Sequence, residues 1–149
     1  MLEWTMTKPE VVRITTAEAL PFLRAFNETF QTTVADEFEA MFATWIGLKL
    51  KGVVRAVLGL KAISETEVFV WGIAGDGSGT VDEALAGVYL LKVLDGLDYH
   101  LTGAVLPRNA HCKHQMAKRG WENTGKSTLG GADKEFMEIW ERSFPGEVS

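Results

Sequence analysis

The chain has 149 residues, 46% of them hydrophobic and 23% charged, with a formal net charge of −5. That is the composition of one ordinary globular domain, and its acidic balance argues against nucleic acid or an anionic membrane as partner. A single cysteine, Cys112, excludes an internal disulfide. No apolar run approaches the roughly 18–20 residues of a membrane helix, and Met1–Met6 has no basic region followed by an apolar stretch, so a soluble, cytoplasmic protein is expected.

Residues 1–10 read as an N-terminal arm, 11–140 as one domain and 141–149 as a C-terminal tail. Val11–Ile14 is a β-rich run. Thr15 and Glu18 have capping-box spacing for a helix, although Pro21 favours a start nearer Ala19. Phe38, Met41, Phe42 and Trp45 fall at i, i+3, i+4 and i+7, predicting an amphipathic second helix over Val34–Trp45. From Ile46 the period changes. Ile46–Lys51 alternates, Gly52 breaks the pattern, Val53–Leu60 resumes it, and Val68–Trp71 is apolar on both faces beyond the turn Ser64–Glu67. This predicts an antiparallel three-stranded meander whose third strand is central.

A glycine-rich stretch, Gly72–Thr80, leads to a long helix capped by Thr80 or Asp82 and running to Leu97. Its wide apolar stripe belongs to a helix packed on a sheet. Tyr99–Leu106 is a strand. Asn109 then caps a helix that Lys118, Arg119 and Gly120 close. Trp121–Gly125 and Glu135–Trp140 read as final strands around a Gly130–Gly131 loop. The order β-α-α-β-β-β-α-β-α-β-β requires a parallel crossover, so the class is a mixed α/β (α+β) domain with a largely antiparallel sheet.

That order resembles the GNAT superfamily of acyl-CoA-dependent N-acyltransferases, over roughly Val11 to Trp140. Arg13–Pro21 is similar to the family's first strand and helix start, an Ile-Arg pair followed by a Thr/Pro-rich cap. Asn109–Trp121 has the spacing of its fourth-helix motif: Asn109 opens, Cys112 takes the small position, Met116 the Tyr position, and Gly120-Trp121 the closing Gly-aromatic pair.

The resemblance implies a pyrophosphate-binding loop at Gly75, Asp76, Gly77, Ser78, Gly79 and Thr80, and Asn109 as a further cofactor-binding residue. The family's Gln or Arg ahead of that loop is missing, since Gly72 and Ala74 stand there. Asp76, Asp82 and Glu83 add negative charge, and no Lys or Arg lies between Lys61 and Lys92. Met116 replaces the Tyr that returns a proton to the departing thiolate, and a thioether has none to give. Glu67, with Glu65 nearby, is the candidate general base, against a bland role in a solvated turn.

Other clusters carry less. His111, Cys112 and His114, with His100 the only other histidine, fall short of a four-ligand zinc site, so no metal is expected. Cys112 and His111 are adjacent on a helix and point about 100° apart, too far for a nucleophile–base pair. Lys113, His114, Lys118, Arg119 and Lys126 give the helix a positive face, explained by dipole complementation and solvation or, on the resemblance, by the 3′-phosphate of CoA. Trp4, in the arm, is a candidate anchor for a protein partner or a second copy.

Two readings follow. The first is a catalytically degenerate GNAT-fold protein with no bound cofactor, acting through protein contacts. It resembles proteins encoded among the virion and internal-core genes of short-tailed bacteriophages, and so implies host cytoplasm or virion. The alternative is an acyl-CoA-dependent N-acetyltransferase using acetyl-CoA, with Glu67 as base and water replacing the Tyr. In that case Trp71–Ile73 and Gly103–Val105 splay apart to receive pantetheine.

Overall fold

The computed structural model describes residues 10–74 and 81–143. The arm with Trp4, the loop Gly75–Thr80 and the last six residues lie outside them. The elements are β1 (Glu10–Ile14), α1 (Thr16–Phe30), α2 (Glu37–Ala40), β2 (Thr44–Leu50), β3 (Val53–Ala62), β4 (Glu67–Ala74), α3 (Val81–Asp95), β5 (His100–Val105), α4 (Ala110–Lys118), β6 (Glu122–Gly130) and β7 (Glu135–Arg142). The strands form one sheet in the order β1-β2-β3-β4-β5-β7-β6, antiparallel except for the β4–β5 pair. The mixed α/β class and its single parallel crossover are those of the sequence reading.

The sheet separates two cores. On one face Leu48, Leu58, Val70, Leu101 and Trp140 pack with Ala86, Leu90 and Leu94 of α3 and with Met116 of α4. On the other, Ile14, Trp45, Val57 and Ile73 pack with Ala19, Phe22 and Leu23 of α1. The two-residue period of the strands makes this division: in β3, Ala56 and Leu58 face α3 while Val57 faces α1. The β2–β3 hairpin turns through Lys51 and Gly52, both at positive φ, which matches the twist of the strands it joins.

Helix α1 begins three residues earlier than Pro21 suggests, starting at Thr16 rather than near Ala19. Thr15 is its N-cap. The Glu18 amide donates to Thr15 Oγ1, and Glu18 Oε1 accepts from the Thr15 amide. The box outweighs the one helical hydrogen bond that Pro21 cannot donate, and the proline sits on the exposed side.

The second helix departs further. Only Glu37–Ala40 is helical, capped by Asp36, whose Oδ1 accepts from the Phe38 and Glu39 amides at 2.8 and 3.2 Å. The expected end of the helix, Trp45, is instead in β2, paired with Gly59. Its indole Nε1 donates to Ala40 O at 2.8 Å. Pairing of Thr44–Leu50 with β3 competes with helix for the same residues and wins, because it places Trp45 in the core. An added Cβ at Gly59 would lie 2.8 Å from the Trp45 ring, so only glycine admits the indole there.

At the C-terminal side, β7 runs on to Arg142, which the sequence reading leaves in the tail. Arg142 is buried, and its guanidinium donates to the carbonyls of Leu94, Leu97 and Tyr99, satisfying groups released where α3 ends.

Candidate functional site

The parallel ladder between β4 and β5 runs from Glu67/His100 to Val70/Gly103 and stops. Beyond it Trp71–Ala74 stays with β3, while Ala104 and Val105 stay with β7. The sheet therefore forks at the carboxyl ends of β4 and β5, releasing main-chain groups that would otherwise pair. Gly103 sits at the fork's apex, where an added Cβ would lie 3.3 Å from Val70 O. The expected splay of Trp71–Ile73 from the end of β5 is this fork.

The fork opens into a cleft of about 500 Å3 on the α1 face. Trp71 and Phe69 form its floor, their rings edge-to-face at 6.2 Å, with Trp45 behind Trp71 at 5.7 Å. Leu23 and Phe26 of α1 close one side, and Met137 and Ile139 of β7 the other. Among the described residues, three charged ones line the cleft: Asp36, Glu39 and Lys61. Lys61 Nζ lies 3.7 Å from Glu39 Oε2.

One end of the cleft is closed by a clasp. The β6–β7 turn docks on the α1–α2 loop: the Thr33 amide donates to Asp133 Oδ2 at 3.3 Å, and the Asp133 amide to Thr33 Oγ1 at 3.0 Å. Glu135 accepts from the Thr32 hydroxyl and from Arg108, which also donates to Phe30 O. The Thr32 hydroxyl, and then the Arg108 guanidinium, hold the Glu135 carboxyl below its usual range. Gly131, at φ +75°, leaves the room this docking needs, since a Cβ there would run into Thr33.

The residues singled out in the sequence fall unevenly around this geometry. Asn109 lines the cleft, but its Oδ1 is engaged as the α4 cap, accepting from the Cys112 amide at 3.3 Å. Met116 is buried in the α3-side core. Cys112, one turn earlier, is the α4 residue that meets the cleft, with Sγ 3.6 Å from Met116 Sδ. Burial pushes the Cys112 thiol up to about 11, so it carries its proton at neutral pH. Glu67 opens β4 and is not part of the cleft lining. Four residues of strand, about 13 Å, separate it from Trp71, where the fork begins. Its carbonyl accepts from the Ile63 and Ser64 amides, closing the β3–β4 turn next to exposed Glu65.

Gly75, Asp76, Gly77, Ser78, Gly79 and Thr80 lie outside the described residues, between the last residue of β4 and the first of α3. Among the described residues no group of three or more His, Cys, Asp and Glu is placed to hold a metal ion, and no helix is long and apolar enough to cross a membrane. The positive face of α4 is partly neutralised: Lys113 pairs with Glu138 at 3.5 Å and Arg119 with Asp95 at 2.7 Å. Asp36 and Glu39 escaped the sequence reading. The signal for Asp36 was present, an Asp one residue ahead of a helix, but the overlong second helix placed it in the interior.

No protein-family model matches the sequence, and no curated protein matches it. Solved structures do match. The chain aligns over 96% of its length, and 98% of the other, with yncA from Salmonella typhimurium, solved with its cofactor acetyl-CoA, at TM-score 0.65 and 11% identity. It aligns over 91% with an IAA acetyltransferase from Bacillus cereus (99% of that chain, TM-score 0.64, 12% identity). It aligns over 91% with an acetyltransferase of the GNAT family from Streptococcus pneumoniae (98% of that chain, TM-score 0.61, 13% identity). The fold is the GNAT acetyltransferase fold. At these identities the likeness is one of fold, and none of the three carries the likeness to phage virion proteins.

Proposed function

We propose that the protein is an acyl-CoA-dependent N-acyltransferase, with the fork between β4 and β5 opening on the cleft as the observation that carries the reading. The fork suits an extended arm that bears amides. It offers two diverging strand edges, a glycine at its apex and apolar walls at Ile73, Val105 and Leu106. Trp71–Ile73 and Ala104–Leu106 would hold the pantetheine of acetyl-CoA, and the Gly75–Thr80 amides its pyrophosphate. When bound, acetyl-CoA supplies an activated acyl group as a thioester. The neighbour solved with acetyl-CoA supports this choice and weighs against an expectation of no cofactor.

The chain's own residues then have distinct tasks. Asp36 and Glu39, the carboxylates of the cleft, attract the acceptor's ammonium and take its proton through water, a role for which they stand in the lining where Glu67 does not. Phe69 and Trp71 exclude water from the acceptor. Cys112 is a weak acid at about 11 and stays protonated, so it neither competes as a nucleophile nor serves as an efficient donor to a departing thiolate. Solvent fills the place of the missing Tyr.

Calorimetric titration with acetyl-CoA and CoA tests the reading. Micromolar binding, with the two ligands competing, is expected; no heat and no thermal shift at millimolar ligand would sink it. That negative result would favour the second reading, a non-catalytic contact protein such as a bacteriophage virion or assembly component. The burial of Met116, a thioether at the position of the family's acid, is the observation on its side.

A further inference from the structure

The mouth of the cleft carries apolar side chains that neither core uses. Phe38, Met41 and Phe42 are 64%, 66% and 59% exposed, and Ile63, just after β3, is 54% exposed. The rings of Phe38 and Phe42 meet edge-on at 5.3 Å, and Lys61 Nζ lies 6.0 Å from the Phe42 centroid. Glu39 sits in the same short segment and lines the cleft, as do Lys61 and Ile63. The lip is therefore continuous with the floor of Phe69 and Trp71.

A cluster of exposed aromatic side chains beside a cleft marks a surface that meets something apolar. A small amine lying wholly within the cleft would leave this lip bare. The lip's carboxylates, Asp36, Glu37 and Glu39, outnumber its cations, Arg24 paired with Glu37 at 2.7 Å and Lys61 at 3.7 Å from Glu39, and that balance disfavours an anionic lipid surface and favours a cationic occupant.

We propose that the acceptor amine is carried by a polypeptide segment with apolar and basic side chains, which lies across the α2 lip and passes its amine into the cleft. The proposal rests on the acyltransferase reading. The acceptor's amine forms the new C–N bond to the acyl carbon as the thioester C–S bond breaks. The amine's proton passes to water beside Asp36 and Glu39, and the sulfur leaves as thiolate and is protonated by solvent. The products are an amide and free CoA.

Two synthetic hexapeptides test it, acetylated at the N-terminus and amidated at the C-terminus: Arg-Leu-Lys-Phe-Leu-Arg and Arg-Ser-Lys-Ser-Ser-Arg. Benzylamine is the small-amine control. The apolar peptide should have a kcat/KM at least about tenfold above the serine peptide, the scale of a few partly buried apolar side chains. The double substitution Met41→Ser, Phe42→Ser should remove that advantage through KM, leaving the benzylamine rate, acetyl-CoA affinity and Tm unchanged. Fluorescence anisotropy of the labelled apolar peptide, without acetyl-CoA, should show the same loss in affinity.

Equal kcat/KM for the two peptides, a higher value for benzylamine, or an unaffected double variant would overturn the proposal. So would a dimer in sedimentation that the double substitution converts to monomer, since that would place a second copy on the lip. Acetyl-CoA binding with neither peptide acetylated overturns the polypeptide acceptor alone. Absent acetyl-CoA binding removes the acyltransferase reading together with it.

Discussion

Under α3 and α4 the sheet is covered from β2 to β7, and the side chains there, from Leu48 through Leu101 to Trp140, form one filled core. On the opposite face α1 covers β1 to β4 and goes no further, because α2 is a single turn. Ala104 of β5 and Met137 and Ile139 of β7 are left lining a cleft. The same sheet thus has a face organised for stability and a face organised for access. Stopping a helix early makes a binding site without hollowing out a core.

The sharpest way to break this contrast is to truncate one side chain on each face. Leu101, fully buried on β5, should cost about 2–5 kcal/mol as Leu101→Ala, and chemical denaturation measures it. Phe38→Ser, on the open side, should change stability by less than about 0.5 kcal/mol. Similar losses would mean that the lip is part of the folded core after all.

The next effect is in activity. Asp36→Asn combined with Glu39→Gln should lower kcat/KM by about 100-fold, within the range of general-base catalysis, with acetyl-CoA affinity retained. Asparagine caps helices as well as aspartate does, so the Tm should hold. A fall in Tm matching the fall in rate would make these carboxylates structural. Between the faces, Gly59→Ala should cost about 1–3 kcal/mol by forcing the Trp45 ring to move, and a Trp fluorescence shift should accompany it.

The closed face was legible in the sequence and the open one was not, for a physical reason. Strand alternation and the stripe of α3 are local patterns that burial rewards directly, so β2 to β5 and α3 could be placed from spacing, and α4 from its end signals, Asn109 and Gly120. The spacing of Phe38, Met41, Phe42 and Trp45 is equally helical, but only Trp45 joins a core, and it does so from a strand. Local pattern cannot register that Thr44–Leu50 has a better partner in β3. The same overlong helix hid the N-cap role of Asp36, and with it a carboxylate of the cleft. Glu67 stands at the start of the central strand, and the fork opens at that strand's far end. The clasp of Thr32, Arg108 and Glu135 joins residues far apart in sequence and has no local signature.

That clasp predicts a pH response confined to the open face. Hydrogen bonds from Thr32 and Arg108 hold the folded Glu135 carboxyl below its usual 4.5. The stabilisation is therefore present above the usual range and is lost as pH falls through the lower folded value. Thr32→Ala weakens the first of these partners, so the folded pKa should rise and the loss should begin at higher pH. Amide exchange in the β6–β7 turn should accelerate at a higher pH in the variant than in the parent, while β5 amides stay protected in both. Equal onset in the two proteins would remove Thr32 from the clasp.

The smallest effect belongs to a residue that touches both faces, Cys112, which lines the cleft and packs on Met116. With its thiol pushed up to about 11, almost none is thiolate at neutral pH, so the acyl group should pass directly to the amine. Cys112→Ala should then change kcat by less than about threefold, because no covalent step is lost. Intact-mass measurement after mixing with acetyl-CoA alone should find no acetyl adduct on the parent protein. An adduct that disappears in Cys112→Ala, together with a burst of CoA release, would mean that the buried thiol is activated when the cleft fills, and that the open face does chemistry as well as binding.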